Sequence, residues 1–342
     1  MLKPRVLFAL LCSASVFAQT PSAHAGYKVL SHIKVGGEGG WDYLTVDSKA
    51  RRLYVSHGTE VDVINLDTEA VEARIPNLKG VHGIALAPEL NRGFISNGQE
   101  GTVTVFALDT SKEIESRIKV GQNPDAILYE PSTKRVFTFN GRSKDISVVD
   151  AKSGEVLGTI AVGGKPEFAV TDGKGLIWVN IEDKSEVVQL DAKDMKVLNR
   201  WPVAPGEEPS ALAFDVAHHR LFSGSGNKTL VVMDAKTGKV VANAPIGDGV
   251  DAAAFDAGKK RVFTSQGDGT MTVIHQDSPD KYSVEDTVKT APRARTMALD
   301  PKTHKVYLPT GEFEPAPAAT ADNPRPRPHM KPGSFEILVL GE

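Results

Sequence analysis

Cysteine is all but missing from this chain: of 342 residues, Cys12 is the only one. It lies in an apolar stretch from Val6 to Phe17 that follows Lys3 and Arg5 and leads to Ala23-His24-Ala25. A basic start, an apolar run and small residues at a cleavage point are the pattern of an export signal. Residues 1–25 are therefore read as a signal peptide, and the mature chain as periplasmic or secreted. Leu11, just before the cysteine, is larger than a lipid-anchoring box accepts. A mature chain without thiols has neither disulfide nor cysteine nucleophile, so burial must hold it together. No second apolar run is long enough to span a membrane. An excess of basic charge is lacking too. Without Lys3 and Arg5, 38 basic residues face 43 acidic ones, a net charge of −5, which argues against a nucleic-acid binder. No Gly-x-Ser-x-Gly elbow occurs, and "GSGNKT" at 224–229 lacks the order of a phosphate loop. Helical spacing is also absent, since apolar residues recur at intervals of two, the period of strands.

What the chain has in abundance is one phrase. "RRLYVSHG" from Arg51, "NRGFISNG" from Asn91, "KRVFTFNG" from Lys134, "GLIWVNIE" from Gly175, "HRLFSGSG" from His219, "KRVFTSQG" from Lys260 and "HKVYLPTG" from His304 are seven copies. Their aromatics, Tyr54, Phe94, Phe137, Trp178, Phe222, Phe263 and Tyr307, are 40 to 44 residues apart. Strands repeating at that period indicate propeller blades. A run of small apolar residues precedes most copies, as in "DAAAFD" at 251–256, and suits an innermost strand. Strand, turn and strand follow, with Asp-x-x-x-Gly turns as in "DAKTGKV" at 234–240. The expected fold is an all-β, seven-bladed propeller of four-stranded antiparallel blades in one domain, 26–342. The last copy stops at a third strand, "SFEILVLGE", while the mature chain opens on "YKVLSHIKVGG", which matches the fourth strand "EVLGTIAVGG" of another copy. The N-terminal strand is expected to complete the last blade and close the ring.

Tyr-Val-Ser-His at 54–57 and Phe-Ile-Ser-Asn at 94–97 resemble the repeat of the YVTN family of seven-bladed propellers, and the exported single-domain layout is similar to its periplasmic, YncE-like members. The resemblance covers essentially the whole mature chain. It implies the propeller fold and an exported protein; a lactonase-like group and haem-binding propellers are structural relatives. Phe-Ser-Gly-Ser at 222–225 and Tyr-Leu-Pro-Thr at 307–310 depart from the motif.

A phrase found in every blade is mainly architecture, so chemistry should come from what differs between copies. Asp42, His82, Asp125, Glu167, Ser210, Asp251 and Arg295 lead into the seven inner strands. There, Asp42, Asp125, Glu167 and Asp251 are candidate ligands for Ca²⁺ or a similar divalent cation, with His82 and Arg295 as candidate catalytic groups. The plainer reading makes these acids turn formers in a wet channel. A second row, His57, Asn97, Asn140, Asn180 and Gln266 with Trp41, either presents groups to a polar ligand or caps turns. The last blade carries a proline-rich insertion, 312–334, with Arg325, Arg327, His329 and Lys331 in a basic cluster. It reads as a semi-rigid segment at the channel mouth: a lid, a docking segment, an anion clamp, or a tolerated surface insertion. The expected function is non-catalytic binding or scaffolding in the cell envelope, the partner an unidentified envelope protein or a small polar ligand. A metal-assisted hydrolase of lactonase type is the alternative. A monomer is expected.

Overall fold

The computed structural model describes residues 26–115, 117–318, 320 and 328–342; the signal peptide reading therefore lies outside the described residues. Seven separate antiparallel sheets follow one another along the chain. Blade I spans 41–75, blade II 81–119, blade III 124–161, blade IV 166–202, blade V 209–245 and blade VI 250–289. Blade VII combines Ala298–Asp300, Lys305–Thr310 and Glu336–Gly341 with the N-terminal strand Lys28–Lys34. Lys28 faces Gly341 and Lys34 faces Glu336, so the ring closes as the sequence predicts, by a strand from the far end of the chain. Blade II departs from four strands. Two short pieces, Lys112–Glu113 and Ile118–Lys119, share its outer edge.

The repeated aromatic sits on the second strand of each blade and is the main contact between sheets. Tyr54, Phe94, Phe137, Phe222 and Phe263 are fully buried, and Tyr307 and Trp178 nearly so. Ring pairs bridge neighbouring blades: Tyr54 with Phe106 at 5.6 Å, Trp178 with Phe214 at 4.8 Å, Phe222 with Phe255 at 5.2 Å, and Tyr27 with Phe263 at 4.8 Å. Such pairs add about 0.5–1.5 kcal/mol beyond the area they bury. The glycine ending the phrase has its own task. The amides of Gly58, Gly98, Gly141 and Gly267 donate to the carbonyls of Gly40, Gly80, Asn123 and Gly249, at 2.7 to 2.9 Å. Each bond ties the turn after the second strand to the loop leading into the same blade, so the two loops of the mouth face are held as a pair.

Gly93 shows how one copy departs without breaking the packing. Other copies place Leu53, Val136, Ile177, Leu221, Val262 or Val306 there, opposite a medium-sized aliphatic on the third strand. Gly93 instead faces Phe106, and a Cβ on it would lie 2.1 Å from the ring. The missing side chain and the larger partner compensate each other in volume. Gly93→Ala should therefore cost about 1–3 kcal/mol by overpacking. Denaturant unfolding checks this, and Gly93→Val with Phe106→Ile should recover most of the loss.

Candidate functional site

The residues expected around the channel share one backbone device. In blades I to VI the pairing of inner and second strand slips between Trp41 and Leu44, Val81 and Ile84, Pro124 and Ile127, Pro166 and Ala169, Pro209 and Ala211, and Val250 and Ala252. Asp42, His82, Asp125, Glu167, Ser210 and Asp251 lie inside those six slips. A bulge redirects a side chain out of the sheet's alternation. Hydroxyls fix the backbone there: Asp42 N donates to Ser56 Oγ at 2.8 Å, Ser96 Oγ to Asp125 O at 2.6 Å, and Thr296 Oγ1 to Asp42 O at 2.6 Å. Blade VII differs, because its inner strand is only Ala298–Asp300 and Arg295 precedes it without strand pairing.

Three ring members meet closely. His82 Nδ1 is 2.5 Å from Asp42 Oδ2 and 3.5 Å from Asp125 Oδ1. One ligand atom each from Asp42, His82 and Asp125 lies within 4.8 Å of the others. The other two acids are held by cations, Glu167 by Lys165 at 2.5 Å and Asp251 by the Nε of Arg295. Of the four carboxylates expected to hold Ca²⁺, Asp42 and Asp125 come together, with His82; two carboxylates and an imidazole are a donor set that suits Zn²⁺ or Mn²⁺. Burial, with the Asp42 charge beside it, pushes the Asp125 carboxyl up to about 6 against the pull of His82. Burial and the Asp125 charge outweigh Lys165 and push Glu167 up to about 8. Burial also raises Asp251 despite Arg295. For His82, burial works downward, but the Asp42 hydrogen bond and the Asp125 charge win and raise it. Buried Tyr43 is raised first by burial and then by Asp125, Asp42, Glu167 and Asp251, so these acids act on one point.

The second row does not face a ligand. Asn97, Asn140, Asn180 and Gln266 are fully buried and bonded inside the sheets. Asn97 donates to Thr104 Oγ1 at 2.9 Å, Asn140 to Asp145 Oδ1 at 2.8 Å, Asn180 to Ala211 O at 2.8 Å, and Gln266 to Thr264 Oγ1 at 2.6 Å. Burial and these bonds favour the structural alternative for the four amides over contact with a ligand. His57 is buried as well, with Nδ1 2.9 Å from Asp62 and its ring 4.2 Å from that of Phe335. Its ring also explains Gly37, since a Cβ there would lie 2.7 Å from His57 Cε1, at a φ of +84°.

Trp41 and the described part of the insertion instead build a cavity of about 490 Å³ beside the ring. Phe313 pairs with Met330 in an antiparallel bridge, Glu314 N donates to His329 O at 2.9 Å, and Lys331 N donates to Glu312 O at 2.8 Å. That ladder folds the base of the insertion over Trp41, whose ring is 5.5 Å from Phe335 and 5.8 Å from Phe313. Opposite, residues 36–40 are anchored by Gly36 N to Phe335 O at 3.0 Å and by Gly333 N to Gly37 O at 2.9 Å. Apolar walls come from Trp41, Phe313 and Met330, cationic ones from Arg293 and Arg295, and His329 adds an imidazole. Arg295 belongs to both the ring and the cavity. The expected basic cluster is divided: His329 lines the cavity, Lys331 pairs with Glu312 at 2.9 Å, and Arg325 and Arg327 lie outside the described residues. Arg293 and Phe313 were missed by sequence reasoning. Their only signal is position, two residues before Arg295 and one turn into the insertion.

No family model matches the chain, and no curated protein matches it. Among solved structures it is similar to Kuenenia stuttgartiensis hydrazine synthase, at 17% identity and a TM-score of 0.69 over 83% of this chain and 96% of that one. It is also similar to a chain of a mitotic checkpoint complex, at 14% identity and a TM-score of 0.75 over 100% of this chain and 99% of the other. At such low identity the likeness is one of architecture, and the chain is a seven-bladed β-propeller.

Proposed function

We propose that this propeller is a non-catalytic binding or scaffold protein of the cell envelope, of the YVTN type, acting through its channel-mouth face. The cavity of about 490 Å³ between the blade VII insertion and the loop leading into blade I carries the reading. Its size is that of small-molecule sites, roughly 300–1,000 Å³. The insertion is the one long departure from the repeat, and long insertions without secondary structure of their own in compact domains are often functional. A second reading, a metal-assisted hydrolase of lactonase type, is supported by the convergence of Asp42, His82 and Asp125 on one point.

The test replaces 315–327 with a short Gly-Ser turn, keeping the Phe313 and Met330 bridge. Proteins and small molecules retained from envelope extract are compared by mass spectrometry. Retention should be lost on this variant, with unchanged melting, and kept on His218→Ala, a change between the first and second strands of blade V. Identical retention by the wild type, the 315–327 variant and Trp41→Ala, which removes a wall of the cavity, would overturn the mouth-face reading.

A further inference from the structure

We propose that the cavity between Trp41, Phe313, Arg293 and Arg295 is a binding site for a small organic anion, a carboxylate on a flat apolar body. This deepens the mouth-face reading and rests on it.

The charge comes first. Arg293 has no carboxylate partner among the described residues; its guanidinium lies over the ring of Phe313, 4.6 Å from the centroid. Stacking of this kind holds a guanidinium in place with its N–H groups pointing outward. Arg295 meets Asp251 through Nε, and its Nη groups make no bond among the described residues. Two arginines thus face the cavity against one acid, Glu38. A carboxylate can take two parallel N–H bonds from a guanidinium, and charge-assisted bonds of that kind are about twice as strong as neutral ones.

The body of the ligand follows from the walls. Trp41, Phe313, Met330, Pro328 and Pro332 supply apolar surface, and no amide or hydroxyl side chain lines the cavity among the described residues. A neutral sugar could meet Glu38 and the arginines but carries no charge to offset the two guanidinium groups, so it would not exploit the charge-assisted bonds they offer. A cation would meet the arginines. A flat apolar anion satisfies both the aromatic faces and the guanidinium groups.

The probe is 2-naphthoate, titrated calorimetrically into the mature protein, with the neutral isostere 2-naphthamide as control. We expect one equivalent of naphthoate to bind, and naphthamide to bind about tenfold or more weakly. Arg293→Gln should weaken naphthoate by a similar factor and leave naphthamide unchanged, while Arg293→Lys keeps part of the difference. Equal binding of the two probes by the wild type, or no naphthoate binding at millimolar concentration, overturns the proposal whatever the variants do. Arg293→Gln that folds and binds naphthoate like the wild type overturns it as well. The two readings fail separately. Missing discrimination, with retention still lost on Trp41→Ala or on replacing 315–327, removes only the ligand class, whereas retention that survives both changes removes the mouth-face reading itself.

Discussion

A chain beginning at Val35 is expected to lose cooperative folding. The missing strand, Lys28–Lys34, is the outer strand of blade VII, and without it Glu336–Gly341 becomes an open edge. Ile33, 2% exposed, and Tyr27, 5% exposed, leave the core; Tyr27 also gives up its ring contact with Phe263 and its hydrogen bond to His304 O at 2.9 Å. Burying each such side chain is worth about 1.5–3 kcal/mol, and each ladder bond about 1 kcal/mol net. The total is on the order of 10 kcal/mol, comparable with the whole stability of a domain. Circular dichroism during urea unfolding should show no cooperative transition, and gel filtration should show association through the free edge. A peptide of residues 26–36 added in excess should restore the transition. An unaltered midpoint in the truncated chain would mean that the ring is closed by something other than this pairing.

Stability is expected to fall as pH rises from about 5.5 to 8.5, and the channel acids are the cause. Burial and the Asp125 charge hold Glu167 protonated up to about 8, and burial with the Asp42 charge holds Asp125 protonated up to about 6, whereas in the unfolded chain both ionise near 4. Between these values the folded state keeps protons that the unfolded state has released, so each added pH unit favours unfolding. His82, raised through Asp42 and Asp125 against its burial, adds stability at low pH that is likewise lost as pH rises. Glu130 and Asp215, which hydrogen bonds hold low against their burial, lose stability only as pH falls through the carboxylate range, outside this window. Glu167→Gln should flatten the slope and gain on the wild type by about 2 kcal/mol between pH 5.5 and 8.5. Thermal melts across the range check this; a parallel slope in the variant would place the titration elsewhere. Zn²⁺ in the same series bears on the hydrolase reading. A melting rise at pH 8 that Asp42→Asn abolishes would support metal at Asp42, His82 and Asp125, and its absence would count against it.

The seven copies, their strand character and the closing strand are legible in the sequence because they depend on local alternation and a period near 42 residues, which survive without coordinates. The residues leading into the inner strands are legible for the same reason, since the repeat aligns them. Their separation into Asp42, His82 and Asp125 on one side, with Glu167 and Asp251 held by Lys165 and Arg295 on the other, is not. It depends on where each bulge aims a side chain and on which cation, Lys165 or Arg295, comes within reach of which acid. The amides of Asn97, Asn140, Asn180 and Gln266 look available from their place at strand ends, yet they are buried, Asn97, Asn140 and Gln266 against partners on their own third strands and Asn180 against Ala211 and Ser223 of the next blade. Arg293 and Phe313 carry no motif at all, being distant in sequence from Trp41 and adjacent to it only when the ring closes. By itself, then, the sequence determines the blades, their number and their order, through periodic local preferences. The tertiary structure alone decides which loops meet at the mouth and which charges there are left unpaired, because those contacts join residues from opposite ends of the chain.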